Sequence, residues 1–263
     1  MRKKRTFIRA TLSVGLATLM MVTIGAISIR AQQGQALNQS SNFDATFSDC
    51  VESIGVTLVP TASVRALVPQ SFTLAGEGQP VTPLVVRTAR CQGISTEGQG
   101  GQRAGDIVQI GAVVVPPDFT GDINNYTIWY YTTDLRLALR LLLAGVNAQY
   151  VPTIDYDFEA EDGTLNVRVP LPGVPRLVLS GSVSPSPQPA GSFLANWWQE
   201  AQGGKVKMST NVPVINIGAA DLTLTTNRNG PLGQLIGGST TGFPIIQQFN
   251  TFNGAQMHVT VAP

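Results

Sequence analysis

The sequence contains few of the side chains on which most active sites depend. Its 263 residues include one histidine, His258, and two cysteines, Cys50 and Cys91. Only two of its four lysines, Lys205 and Lys207, lie beyond residue 31. One histidine and two cysteines are a poor ligand set for zinc, so we expect no metal site, and we predict no other cofactor.

The scarcity of histidine also limits the catalytic mechanisms available. A Ser–His–Asp triad would depend entirely on His258, and the sequence has no Gly-x-Ser-x-Gly elbow. His258 lies in an alternating pattern near the C-terminus, which favours an ordinary strand residue over a catalytic one. Gly237 and Gly238 lack the following lysine of a phosphate-binding loop. We therefore expect neither a serine-type triad nor a P-loop.

The N-terminus predicts export. Five of the first nine residues are basic, an uncharged run covers residues 10–29, and Ala31 precedes a polar stretch. These are the parts of a secretory signal, with cleavage after Ala31. About 20 apolar residues can also cross a bilayer, so a retained membrane anchor is the alternative. The predicted location is periplasmic, extracellular or membrane-anchored.

Removing residues 1–31 changes the charge balance. Six of the 17 basic residues lie in this segment, which leaves 11 basic residues against 16 acidic ones and a net charge near −5. A mildly acidic chain without a basic cluster does not suit nucleic acid, because phosphate binding needs concentrated lysine and arginine. We expect no nucleic-acid partner, and membrane contact only through an uncleaved N-terminal segment.

The remaining chain predicts one domain. Residues 32–46 are rich in glutamine, serine and asparagine and are expected to form a flexible leader, followed by a single domain over residues 47–263. Two thiols in an exported protein most often form one bond, so a structural disulfide between Cys50 and Cys91 is expected.

The sequence predicts a mainly β (α+β) fold, because it has many short strand patterns, few helices and no regular alternation of strands with helices. We expect a closed or strongly curved antiparallel β-barrel with two or three short helices. The clearest helix covers residues 135–144, where Asp134 is the N-cap and Gly145 follows the C-terminus. Its predicted apolar stripe consists of Leu135, Leu139, Leu142 and Leu143.

Other segments carry weaker local signals. Residues 62–68 and 193–201 are predicted as further helices, and the glycine-rich residues 96–105 as a mobile loop. Asp162-Gly163 predicts a hairpin turn. Four acidic residues alternate before this turn, which indicates either cation binding or, as we favour, a solvated edge strand; they are Asp155, Asp157, Glu159 and Glu161.

One region resembles a known family. The strand GDIVQIGAVVV (105–115) is followed by NNYTIWYYTTDLRLALRLLLAGVNAQY (124–150), and RALVPQSFTLAGEG (65–78) precedes both. This order is similar to the acetoacetate decarboxylase-like family. The resemblance implies a closed antiparallel barrel around an apolar pocket. It also implies a lysine that forms a Schiff base with a β-keto acid, assisted by a second lysine that lowers the pKa of the first.

The positions that carry this chemistry in the family are neutral here. Matching the glycine of the helix end to Gly145 places Asn147 at the family's proline and Ala148 and Gln149 at its two lysines. Matching the strand glycine to Gly105 places Gln109 at the family's glutamate. Schiff-base decarboxylation by the family mechanism is therefore not expected.

The resemblance leaves three functions open. The first is binding of a small, partly apolar ligand, with a set of lining residues that comprises Gln109, Gln149, Asn147, Tyr130 and Arg90. The second is a cofactor-free lyase or hydratase-type enzyme that uses a relocated residue such as Lys205 or Lys207. The third is a non-catalytic envelope domain, which would have no apolar cavity.

Overall fold

The computed structural model describes residues 42–97, 99–170, 175–202 and 204–262. The predicted signal segment, residues 1–31, lies outside these residues and stays a prediction. The elements, in chain order, are β1 (Phe43–Pro60), α1 (Thr61–Arg65), β2 (Val81–Thr96), β3 (Gln99–Val113), β4 (Ile123–Thr132), α2 (Leu135–Leu143), β5 (Ala148–Tyr150), β6 (Asp155–Glu159), β7 (Thr164–Val169), β8 (Leu177–Ser184), β9 (Pro189–Ala201), β10 (Gly204–Thr226), α3 (Pro231–Ile236), β11 (Thr240–Gly242) and β12 (Ile246–Ala262).

Seven strands form a closed ring. The hydrogen-bonded order is β1, β2, β3, β4, β9, β10 and β12, and β12 pairs with both β10 and β1. All of these pairs are antiparallel except β4 with β9, which is parallel. The predicted mainly β fold with a closed sheet and a few short helices is therefore confirmed, with one parallel pair that the prediction did not include.

The second half of β10 extends the sheet outside the ring. The register of β10 against β9 shifts between Val212 and Asn216, where Pro213 has no N–H to donate. From Ala219 onward β10 pairs with β8, and β7 and β6 follow in the sheet. The turn between β6 and β7 contains Gly163 with φ 63°, so the predicted hairpin is confirmed.

Residue alternation along the ring strands separates two cores. One core lies inside the ring and continues onto the buried face of α2, with Phe47, Val85 and Met257 among its members. The other lies outside the ring, beneath β6–β8 and the helices α1 and α3, and includes Phe72 and Leu179. Because neighbouring residues of a strand point to opposite faces, each ring strand contributes to both cores.

Helix α2 has its predicted bounds and caps, but its predicted apolar stripe is wrong. Asp134 accepts a hydrogen bond from the backbone N–H of Leu137, and Gly145 has φ 94°. Leu137 and Leu141 are fully buried, with Ala138 between them. The helix carries two apolar faces, and the face with the small residue packs closely against the sheet. The other face is exposed to solvent: Leu135 47%, Leu139 47%, Leu142 55% and Leu143 71%.

Two further local predictions are wrong. Residues 193–201, predicted as a helix, belong to β9, because their backbone pairs with β10 on one side and β4 on the other. This pairing outweighs an intrinsic helix propensity. The described residues of the predicted mobile loop are mostly strand: Thr96 ends β2 and residues 99–105 belong to β3, which pairs with β2 as an antiparallel hairpin. The guanidinium of Arg136 donates to the carbonyls of Gly100 and Gly101 and holds the hairpin against α2.

The start of the described chain also differs from the prediction. β1 begins at Phe43, so residues 43–46 of the expected leader are strand, paired with β12 and β2. Cys50 and Cys91 are register partners on β1 and β2 and form the predicted disulfide. Among the described residues, no helix has the length and apolarity needed to cross a membrane.

The two faces of α2 give a matched test of packing. We expect Leu141→Ala to lower the free energy of unfolding by about 2–5 kcal/mol, because it leaves a cavity beneath the helix. The same substitution at Leu139 removes a half-exposed side chain and should cost less than about 1 kcal/mol. Urea denaturation of both variants measures the difference. Equal losses of unfolding free energy would contradict the assignment of the Leu141 face as the one that packs against the sheet.

The tyrosines predict a loss of stability at alkaline pH. Tyr126, Tyr130, Tyr131 and Tyr156 are buried, and burial raises the pKa of each phenol above its ordinary value of 10.0, whereas Tyr150 is exposed. Above pH 10 the unfolded chain loses these protons while the folded chain keeps them, so rising pH favours unfolding. Tyrosinate absorbance should show that these four buried phenols ionise only when the protein unfolds. Their ionisation in the folded protein near pH 10 would contradict this.

Candidate functional site

One end of the ring interior holds a cavity of about 520 Å³. All seven ring strands contribute to its wall, which is mostly apolar. Representative lining residues are Ile54, Val85, Val113, Phe193, Ala195 and Ile215. The wall is apolar because the inward positions of these strands hold aliphatic and aromatic side chains, and its volume is in the range of small-molecule sites.

Trp197 closes the inner end of this cavity. Its side chain is 4% exposed and lines both the large cavity and a smaller one deeper in the ring. The indole fits because Gly111, on β3, has no side chain: a Cβ at this glycine would lie 2.7 Å from Cζ3 of Trp197 and 2.3 Å from the carbonyl oxygen of Tyr126. The glycine therefore sets the depth of the large cavity.

The outer end of the cavity reaches the surface through apolar residues. Ile217, Ile245 and Ile246 line the cavity and are 40%, 51% and 36% exposed. Exposed apolar residues that continue into a cavity mark an entry for an apolar molecule.

Polar residues interrupt the apolar wall at two places, around the start of β4 and on β12. Asn124, Asn125, Gln248 and Asn250 contribute amides, and Asp122 is the only charged residue among the described residues of the lining. Asn124 is satisfied, because it donates to the carbonyl of Thr120 and accepts from Trp198 Nε1 at 2.9 Å. Asn125 and Asn250 are 2% and 1% exposed, and their carbonyl oxygens have no hydrogen-bond partner in the part of the chain that the structure describes.

A buried ion pair lies behind Asn250. Nε of Arg87 is 2.5 Å from Oε2 of Glu52, and Nδ2 of Asn250 donates to Oε1 of Glu52 at 3.3 Å. The Glu52 side chain is 6% exposed and that of Arg87 17%. Removing one partner of such a pair would leave an uncompensated charge in the interior, so the pair holds this part of the ring in one arrangement.

The structure brings two of the predicted ligand residues together. Gln109 and Tyr130 are register partners on β3 and β4 and line the smaller cavity, whose volume is about 10 Å³. Gln109 is buried and donates to Thr127 Oγ1 at 3.1 Å. Burial raises the pKa of Tyr130, and the nearby Arg87 offsets part of this shift. This space is about the size of one water molecule, too small for an organic ligand.

The other predicted ligand residues lie elsewhere. Arg90 points to the outer face, forms two hydrogen bonds with Asp106 at 2.7 and 3.1 Å, and stacks over the ring of Tyr156. Gln149 is half-buried on β5. The side chain of Asn147 is exposed, and its backbone N–H donates to a glutamine side chain. None of the three lines either cavity.

Both described lysines lie on the outer face of β10. The Lys205 ammonium donates to the carbonyl of Ser71 at 3.1 Å and lies over the ring of Phe72. Lys207 Nζ is 2.6 Å from Asp118 Oδ2 and also lies over the ring of Trp198. Neither lysine lines a cavity.

The two remaining titratable candidates are at the surface. His258 is exposed on β12 and contacts the carboxylate of Asp44 on β1. The alternating acidic residues are exposed along β6, which ends the path of hydrogen-bonded strands, and in the turn after it. The described residues contain no group of three or more acidic, histidine or cysteine side chains that could hold a metal.

No protein-family model matches the sequence, and no curated protein is similar to it in sequence. The fold, however, matches solved structures. MppR, an enduracididine biosynthesis enzyme in complex with pyruvate, superposes with a TM-score of 0.54 at 12% identity, over 83% of this chain and 88% of that one. The chain has the acetoacetate decarboxylase-like fold.

Two further structures share this fold. The acetoacetate decarboxylase of Legionella pneumophila gives a TM-score of 0.51 at 11% identity, over 83% of this chain and 87% of that one. An acetoacetate decarboxylase-like enzyme from Sphingomonas wittichii gives 0.51 at 11% identity, over 84% and 92%. The resemblance noted in the sequence is thus confirmed as a likeness of fold.

Sequence reasoning missed the residues that shape the large cavity. Glu52 and Arg87 each lie in an apolar strand segment, and a charge at an inward position was the available signal. Asn125 precedes an aromatic strand segment, and nothing local in the sequence indicates that its side chain is buried. Trp197 lies in the segment predicted as a helix, and a helix there would remove it from the ring.

Proposed function

We propose that the protein binds a small, largely apolar molecule within the ring and does not decarboxylate it through a Schiff base. The large cavity carries this proposal, because it combines an apolar wall, a few polar groups and an apolar entry. These are the features of a small-molecule site. In this proposal the small-molecule partner expected from the sequence would occupy the large cavity, whose lining differs from the residues predicted to bind it.

The positions of the lysines support the second half of the proposal. An imine-forming lysine must present its amine to the substrate in a desolvated pocket. Lys205 and Lys207 instead lie on the outer face, and the amine of Lys207 is occupied by an ion pair with Asp118. The residue matched to one of the family's lysines, Ala148, is a buried methyl group of the inner core.

The cavity also separates the two alternatives. A purely structural envelope domain would need no open apolar cavity, so the cavity favours a binding role. A lyase or hydratase of this fold would need a reactive group in the wall, and the ionisable side chain found there is that of Asp122. One oxygen of Asp122 already accepts from the backbone N–H of Leu194 at 2.8 Å.

Export is part of the proposal. The basic and apolar N-terminal segment supports it, and the Cys50–Cys91 disulfide is consistent with an oxidising compartment. Mass determination of the protein recovered from its host would show whether residues 1–31 are removed.

A cavity-filling variant tests the binding site. Ala195 lines the cavity, so Ala195→Phe should fill part of it and weaken binding of 1-methoxynaphthalene at least tenfold, as measured by equilibrium dialysis. Leu194→Phe is the matched control, because the preceding residue points to the opposite face of β9 and its variant should bind normally. Thermal unfolding shows whether each variant is folded. Absence of probe binding to the wild type, or equal binding by both variants, would overturn the proposal.

Borohydride trapping tests the chemistry. The protein would be incubated with acetoacetate or pyruvate and reduced, with an authentic acetoacetate decarboxylase as positive control. We expect no reduced adduct on Lys205 or Lys207, because neither amine reaches the cavity. An adduct found by peptide mass spectrometry, and lost in the corresponding Lys→Arg variant, would contradict the binding-only role.

A further inference from the structure

We infer that the molecule bound in the large cavity carries a neutral hydrogen-bond donor, such as a hydroxyl or amide N–H group, and no carboxylate. This inference rests on the proposed binding function and narrows it to a ligand class. It depends on which polar groups of the cavity wall are already paired and which are not.

Asn250 supplies a hydrogen-bond acceptor of fixed orientation. Its Nδ2 donates to Oε1 of Glu52, and an ionised carboxylate can only accept. Arg87 holds this carboxylate through its other oxygen and compensates its charge. Exchanging the amide nitrogen and oxygen of Asn250 would place two acceptors against each other. The amide oxygen is therefore left as the unpaired group of a residue that lines the cavity.

Asn125 supplies a second buried amide, on another strand of the ring. It lies on β4, is 2% exposed, and its Oδ1 is unpaired among the described residues. Two buried amide oxygens without donors are uncommon in folded proteins and call for a partner. Neither the apolar residues around them nor the satisfied Asn124 supplies one. A ligand that brings a donor would satisfy one of these oxygens.

The charges of the wall disfavour an acidic ligand. Among the described residues, no lysine, arginine or histidine lines the cavity, and Asp122 contributes a negative charge. Arg87 is paired with Glu52 and lines the smaller cavity instead. A carboxylate here would lose hydration without gaining a counter-charge from the described lining.

Three probes of one shape test this inference. 1-Naphthol has a hydroxyl donor, 1-methoxynaphthalene has the same ring system without the donor, and 1-naphthoate carries a carboxylate. We expect the full chain to bind naphthol about five- to tenfold more tightly than the methyl ether, the factor for one net hydrogen bond. Naphthoate should bind more weakly than either. Equilibrium dialysis at one pH and salt concentration gives the three dissociation constants.

Variants assign the preference to named atoms. Asn250→Leu and Asn125→Leu remove one acceptor each, and the variant that loses the contact should bind naphthol and its methyl ether equally while still binding the ether. Gln256→Leu is the matched control, since it removes an exposed amide of the same strand β12 that lines neither cavity, and should keep the wild-type ratio. Glu52→Gln offers Asn250 a donor and should also reduce the ratio.

The outcomes separate this inference from the proposed function. If the folded wild type binds none of the three probes, the proposed function fails and the inference fails with it. If it binds the methyl ether or naphthoate as tightly as naphthol, the proposed function stands and the inference is wrong. If naphthol is preferred but both Asn→Leu variants keep the preference, the assignment to these oxygens is wrong.

Discussion

The fold depends on closure of the seven-stranded ring, and closure depends on three pairings. β12 pairs with both β1 and β10, and the parallel pair of β4 with β9 joins the two halves of the chain. A closed ring gives every strand an inner and an outer face, so side-chain alternation decides what enters the cavity. Trp197 and Trp198 show the consequence: the first closes the cavity and the second contacts Lys207 on the outer face.

The inner face is not uniformly apolar, and three of its polar side chains contact one another in series. Arg87 holds Glu52, and Glu52 in turn holds Asn250 at the cavity wall. A buried ion pair gives little net stability, because desolvation offsets most of the attraction. Its effect here is geometric, since it fixes the amide of Asn250 relative to the surrounding strands. An apolar pair in its place would leave that amide free to turn.

Much of the fold could be predicted from the sequence because its signals are local. Asp134 and Gly145 mark the ends of α2, Gly163 marks a hairpin turn, and the presence of two cysteines predicts one disulfide. The cavity could not be predicted in this way, because Glu52, Asn125 and Asn250 meet only through strand register. The stripe on α2 was missed for a related reason: periodicity identifies an apolar face but does not tell which of two such faces packs against the sheet.

In the segment after α2 the fold is kept, but the lysines expected for the family's chemistry are missing. Ala148 and Gln149, which match the family's two lysines in sequence, lie on β5 beside Tyr130 and Tyr131. Alternation places Ala148 in the inner core and Gln149 on the opposite face. The inward position is thus still directed into the ring but ends in a methyl group. The polar groups of the large cavity come instead from around β4 and from β12, the strands that carry Asn125 and Asn250. The site proposed for this chain therefore draws its polar groups from other strands than the segment matched to the family's lysines.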